Sequence, residues 1–352
     1  LDRPWGETPF LFQGFMINDD AKIDQLHALT EHVYIMIPDE EIDLDKLPLA
    51  FSKPVVKSHK GHTINTDTSA SGPRKTTLAG EVKKVRIDQD NVTSLIADTF
   101  SILQSGAQLH LENIEKATEI MIDSVEKNPD VNLWLTHIKK SDFYIYSDAL
   151  SSSVLASAMG IQLGLPVKQI QHLAVGTMLM DCGKTELAKE LLYKKERLTN
   201  EEWELMKSHV SLGLSQLANT PRVASEVLDT IRTHHERLDG SGYPAGLQQS
   251  QIPLFGQIAG IIDYYVSVTN PRPYAKAISP SDAMKGLYHM RDQYFSSDLI
   301  EHFIQVLGTY PTGSLVELSS GEVGIVMSQN SGSRLKPNVV LLLDVDLSLI
   351  HI

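Results

Sequence analysis

From about residue 90 to residue 307, apolar residues recur at helical spacing, and no strand-like alternation interrupts them. Val92, Leu95, Ile96, Thr99, Ile102 and Leu103 form one stripe. Leu111, Ile114, Ala117, Ile120 and Met121 continue it until Pro129 ends it. Further helices are expected at about 131–140, 147–163, 167–182, 200–218, 222–235, 254–269, 280–289 and 297–307. The middle of the chain therefore reads as an all-α domain.

The flanks have a different texture. Residues 1–60 read as a small α/β unit, with strand-type runs at Phe10-Leu11-Phe12 and Val33 to Ile37 on either side of a helical spacing at Ile23, Leu26 and Leu29. Residues 61–90 read as a solvated linker, rich in Ser, Thr, Gly and Pro and sprinkled with Lys and Arg. The helical domain is assigned to 91–310, with its core at 140–310. Residues 311–352 are expected to add a short β appendage, because Ser314–Leu318, Val323–Met327 and Val339–Val345 are strand-like and Ser320-Gly321 makes a turn. The fold class is thus mainly α, with small mixed and β additions.

Composition narrows the function classes. A formal net charge of −13 over 352 residues argues against binding a nucleic acid polymer, which needs a basic surface. A few local cations can still hold a small anionic substrate. The single cysteine, Cys182, rules out a disulfide within the chain and suits a reducing compartment. No apolar run reaches the roughly 18–20 residues of a membrane span, and no signal-peptide pattern is visible. The expected location is the cytoplasm, with no membrane partner.

The chemistry concentrates between residues 140 and 276. His234-His235-Glu236-Arg237-Leu238-Asp239-Gly240-Ser241-Gly242-Tyr243-Pro244 places two adjacent imidazoles at a helix end, before a loop with two glycines. Imidazole is a common ligand of first-row metals, and glycine lets backbone approach a ligand closely. Met180-Asp181-Cys182-Gly183-Lys184, His209 and Asp263 complete the set. Taken singly, an Asp on an apolar helix is more often a hydrogen-bonded core residue than a ligand, and a lone His more often a satisfied core or surface residue. Their order raises the odds.

That order, Asp-x-Gly-Lys, Lys-x-His, His-His-Glu-x-x-Asp-Gly-x-Gly-Tyr-Pro, Asp, then Arg-Pro-Tyr, resembles the HD-GYP family over about 140–310. Trp5 to Phe10 with Gly14-Phe15, and Tyr310-Pro311-Thr312-Gly313, resemble the small N-terminal domain and the tail of one subgroup. The resemblance implies an all-α HD superfamily domain with a centre of two or three metal ions, often iron or manganese. The implied reaction is metal-dependent hydrolysis of cyclic di-GMP to pGpG or GMP, in which the ions activate water and offset phosphate charge. Carried over, Asp181 would bridge two metals, and His209, His234 and His235 would complete one ligand set. Asp263 would serve the other metal, and Lys184 would sit near the water and a phosphate. Tyr243 would line the substrate pocket, and Arg272 would meet a phosphate or guanine. The Gly-Tyr-Pro loop of the family is also associated with contacts to diguanylate cyclase (GGDEF) domains.

Two histidines of the family pattern are replaced. Met180 stands immediately before Asp181, and a thioether is poorly matched to Fe²⁺ or Mn²⁺. Counting back from Leu163-Gly164-Leu165 reaches Asp148 where the family has histidine. Asp148 is a substitute metal ligand, a surface residue, or a helix cap. Tyr144 stands where members with three metals carry a further carboxylate, and Val266 and Ala275 also depart from the pattern. The expectation is one well-formed metal site and a second that is weak or empty, in a protein that binds metal and nucleotide with weak or absent hydrolysis. The alternative is an active cyclic di-GMP phosphodiesterase.

Overall fold

The computed structural model describes residues 78–138, 144–272, 277–329 and 336–343, all within the unit Pro73–Ile352. The α/β unit expected over 1–60 lies outside them. The described chain is helical up to residue 307 and ends in a small sheet, as the periodicity predicts. None of its helices is long and apolar enough to cross a membrane.

Helix α1 (Leu78–Gln104) already runs through residues 78–90, where the sequence reads as linker. Val82, Val85, Gln89 and Val92 carry its buried face back at spacings of three and four. Lys83, Lys84, Arg86 and Asp88 on the other faces mask that stripe in the sequence. Helices α2 (Leu111–Lys127) and α3 (Pro129–Ile138) follow, with Pro129 at the first helical position, where its missing N–H costs nothing.

Helix α4 (Tyr144–Gln162) is the axis of the domain, buried nearly throughout from Ile145 to Gly160. Its small residues let neighbours close in. Ser153 donates to the Ala174 carbonyl of α5 (Val167–Leu179) at 3.0 Å, and a Cβ on Gly160 would stand 3.0 Å from Ile170. Asp148 lies inside α4 with 4% exposure, so it is neither a surface residue nor a cap. Phe100, Met159, Met178 and Phe303 are fully buried around this axis, each contributing about 1.5–3 kcal/mol through its removal from water.

Two expected helices are interrupted at the residues that matter. The helix expected over 167–182 stops at Leu179, and Asp181 precedes a 3₁₀ turn, Cys182–Glu186. The helix expected over 200–218 breaks at Ser208 into α7 (Asn200–Lys207) and α8 (His209–Leu217). Between the turn and α7 runs the single-turn α6 (Lys189–Leu192). Helix α7 opens on a capping box, in which Thr199 Oγ1 accepts from the Glu202 N–H and Glu202 accepts from the Thr199 N–H. Helix α9 (Ser225–Thr233) ends at the histidine pair, and α10 (Leu254–Thr269) carries Asp263.

Helices α11 (Pro280–His289) and α12 (Ser297–Leu307) close the bundle. Strands β1 (Leu315–Glu317), β2 (Val323–Ser328) and β3 (Asn338–Leu343) form an antiparallel sheet in sequence order. Thr312 donates to Asp130 at 3.2 Å and so ties the start of the sheet to α3.

The 3₁₀ turn meets α8 backbone to backbone. A Cβ on Gly183 would run into the His209 carbonyl and the Gly213 nitrogen. Gly183→Ala is therefore expected to destabilise the domain by about 1–3 kcal/mol in urea unfolding. A wild-type midpoint would show that the turn is not packed in this way.

Candidate metal centre

Four donors from three breaks in the helical pattern meet at one buried place. Asp181 follows α5, His209 opens α8, and His234 and His235 follow α9. One ligand atom from each lies within 4.8 Å of all the others. Asp181, His209 and His234 are at most 5% exposed.

The imidazoles are anchored so that one nitrogen of each is left bare. His209 Nδ1 donates to the Met206 carbonyl at 2.7 Å, and His234 Nδ1 donates to the Ile231 carbonyl at 2.8 Å. Those bonds put the proton on Nδ1 and a lone pair on Nε2. The two Nε2 atoms then face each other at 3.4 Å, and His209 Nε2 stands 3.3 Å from Asp181 Oδ1. His235 Nδ1 lies 3.4 Å from Asp263 Oδ2, which leaves His235 Nε2 as the free donor. Among the described residues, neither Asp181 Oδ1 nor His235 Nε2 has a hydrogen-bond partner, although both are buried. Bare lone pairs converging in a dry pocket repel one another unless a cation sits among them. The donor set, three imidazole nitrogens and a carboxylate oxygen, suits a first-row divalent ion. The residues fit a metal.

Electrostatics agree with the geometry. Burial depresses the His209 pKa to about 3 and lowers those of His234 and His235, so all three are neutral and able to ligate. Burial alone would raise the Asp181 carboxyl, but the Lys184 ammonium, donating to Asp181 Oδ2 at 2.7 Å, holds it well below the usual range. Burial works against the charge of Lys184, and Asp181 more than restores it. Burial pushes the Cys182 thiol up to about 12, which leaves it unreactive.

The other sequence-predicted residues fall into two places. Asp263 lies beside His235, with its Oδ2 3.4 Å from His235 Nδ1, outside the four-donor group. Asp148 stands apart from the four donors. Its Oδ1 accepts from Asn270 Nδ2 at 2.8 Å, and its Oδ2 accepts from the Arg272 guanidinium at 2.9 Å. Burial, opposed chiefly by Arg272, raises the Asp148 pKa. Met180 is 3% exposed and packs in the core. Ala275 lies outside the described residues.

The Gly-Tyr-Pro loop is bound directly to the centre. The Tyr243 ring stacks on His235 at 4.5 Å, and the Tyr243 N–H donates to the His235 carbonyl at 3.2 Å. Trp203 of α7 meets the Tyr243 ring edge-on at 6.1 Å, and Lys207 lies over the same ring at 5.8 Å. Sequence reasoning assigned no role to two residues that hold this arrangement. Buried Glu236 accepts from the Ala245 N–H at 2.7 Å and the Leu247 N–H at 2.9 Å. Arg237 donates to the His234 and Glu236 carbonyls. The signal was present in Glu236, a carboxylate directly after two adjacent histidines at a helix end, but its partners are backbone groups nine and eleven residues on.

The helices that carry these donors lie within a segment that is similar to HD domains. Residues 132–299 match the HD domain family, and residues 1–114 match a domain of unknown function, DUF3391. The chain is 26% identical over 336 residues to a cyclic di-GMP phosphodiesterase of Pseudomonas aeruginosa, covering 95% of this chain and 79% of that protein. It is 30% identical over 156 residues to a cyclic di-GMP phosphodiesterase of Thermotoga maritima, covering 43% of this chain and 42% of that one. An HDG"Y"P protein from Bdellovibrio bacteriovorus shares the fold, with a TM-score of 0.56 and 18% identity over 66% of this chain and 74% of its own.

Two outcomes follow from the site. Glu236→Ala removes two charge-assisted hydrogen bonds and is expected to cost about 3 kcal/mol in thermal or urea unfolding, with earlier proteolysis in the 240–247 loop. An unchanged midpoint would mean that the loop is held by other contacts. Burial keeps His209 neutral in the fold, while the unfolded chain takes up a proton at the ordinary histidine pKa of about 6.5. The unfolded state therefore binds more protons below that value. Stability of the metal-free protein should fall as pH drops from about 6.5 toward 3, and His209→Gln should flatten that slope in pH-dependent unfolding.

Proposed function

We propose that this chain binds cyclic di-GMP at a centre holding one divalent metal ion, iron or manganese, and hydrolyses it slowly or not at all. The observation that carries the reading is the split in the pocket. Asp181, His209, His234 and His235 converge, whereas Asp148 turns both carboxylate oxygens to Asn270 and Arg272. The relatives, named as cyclic di-GMP phosphodiesterases, support the ligand class.

His209, His234, His235 and Asp181 would hold the ion. A divalent ion bound there supplies a lowered water pKa and offsets negative charge on a phosphate. Lys184 places a fixed ammonium beside Asp181, and Asp263 keeps His235 turned toward the donors. Tyr243, stacked on His235 and partly exposed, offers a ring face for a guanine. Ser241, Pro244 and Ala245 expose the rim of the same loop, which we assign to contact with diguanylate cyclase (GGDEF) domains. Such contact would need no turnover.

The alternative, an efficient phosphodiesterase, draws support from the completeness of the four-donor set. Purified protein, reconstituted anaerobically with Fe²⁺ or Mn²⁺, separates the two readings. We expect calorimetric binding of cyclic di-GMP with little pGpG or GMP, and loss of metal retention in His235→Ala. Turnover at ordinary enzymic rates of about 1 s⁻¹ or more, abolished by His235→Ala, would install the alternative. No binding of cyclic di-GMP would remove both.

A further inference from the structure

Besides the four donors there is a second set of buried charges. Asp181 sits at the junction between them. Its Oδ1 faces the imidazoles, and its Oδ2 accepts the Lys184 ammonium at 2.7 Å. Next comes Asp148, whose side chain is 5% exposed, paired with an Arg272 guanidinium that is 10% exposed. Asp181 and Lys184 both act electrostatically on Asp148, and Arg272 acts on Lys184. Two buried ion pairs thus lie within electrostatic reach of each other.

The Lys184 side of Asp181 is poorly suited to a second divalent ion. Its oxygen is occupied by Lys184. Met180, the neighbour of Asp181, offers only a thioether and is packed in the core. Asp148 is the remaining carboxylate on that side, and both its oxygens are used. A guanidinium is always charged, is planar, and is less hydrated than an ammonium, which suits it to a permanent buried pairing.

The charge balance points the same way. Asp148, Asp181 and Asp263 face Lys184 and Arg272, with Glu236 and Arg237 cancelling, so one negative charge is left over. One divalent ion turns that into a single positive charge, which one phosphodiester neutralises. A second ion would leave a buried excess of positive charge beside Lys184 and Arg272, at a high desolvation cost.

We propose that the Arg272 guanidinium, held by Asp148, takes the place of a second metal ion, so that this chain binds one divalent ion and carries its second cation as protein. The inference rests on the one-ion reading above and adds the residue that enforces it. Arg272 is then a charge-supplying and positioning residue. Removing it frees Asp148 Oδ2, so that with a histidine restored at position 180 the Asp148 side should admit an ion.

The test is a count of metal and its magnetic state. Wild type, Met180→His and the double variant Met180→His with Arg272→Ala are loaded with excess Mn²⁺, desalted, and measured by elemental analysis and electron paramagnetic resonance. We expect one equivalent per chain and an isolated six-line Mn²⁺ signal from wild type and from Met180→His, in which Arg272 remains. The double variant should take up a second equivalent and show an exchange-broadened signal. Two equivalents in wild type or in Met180→His, or one in a folded double variant, would overturn the inference and leave the metal-centre reading standing. No retained metal in wild type would overturn both. Where neither variant folds, the wild-type count decides: one equivalent with an isolated signal supports the inference, and two overturn it.

Discussion

Three imidazoles buried with their Nε2 lone pairs turned inward, beside the unpartnered Oδ1 of Asp181, set the terms for the rest of this domain. Such a cluster is repulsive on its own and becomes favourable around a cation. It persists because each ring is fixed from behind. Carbonyls at Met206 and Ile231 hold His209 and His234, and Asp263 stands behind His235. These are outer partners of the kind that decide tautomer and ring orientation at metal sites. The core then has to deliver a helix end, a helix start and a second helix end to one point. The glycine contact at Gly183 lets it do so.

The pocket is asymmetric. The histidine side of Asp181 presents unpartnered donor atoms, whereas the other side is neutralised by side chains of the protein, Lys184 on Asp181 and Arg272 on Asp148. Breaking either pair would leave a charge stranded in a dry interior, the condition under which a single substitution is most damaging. The ion pairs are therefore structural requirements as well as parts of the site's chemistry.

The Gly-Tyr-Pro loop joins the metal centre to the surface. Tyr243 packs on His235, Trp203 and Lys207 meet Tyr243 from α7, and Glu236 gathers the loop backbone beneath them. Loops carry function when a rigid scaffold positions them. Here the scaffold is the ligand pair itself, so whatever touches the loop bears on the histidines. The same coupling explains why Glu236 contributes through hydrogen bonds to the loop while pointing away from the donors.

The sequence by itself determined the helical architecture and singled out the four donors that the structure brings together, but it named Asp263 and Asp148 beside them, which lie outside that group. Periodicity is a local property, and the order Asp181, His209, His234-His235 survives in any reading of the chain. It missed the start of α1, because the basic and acidic residues at 83–88 hid a buried stripe that only packing makes visible. It drew straight helices through Asp181 and Ser208, since a break caused by one backbone meeting another has no local signal. Asp148 stayed open between ligand, surface residue and cap. Tertiary structure alone decided its partner, because Arg272 is 124 residues away and the attraction between buried charges depends on the space they share and not on the chain between them.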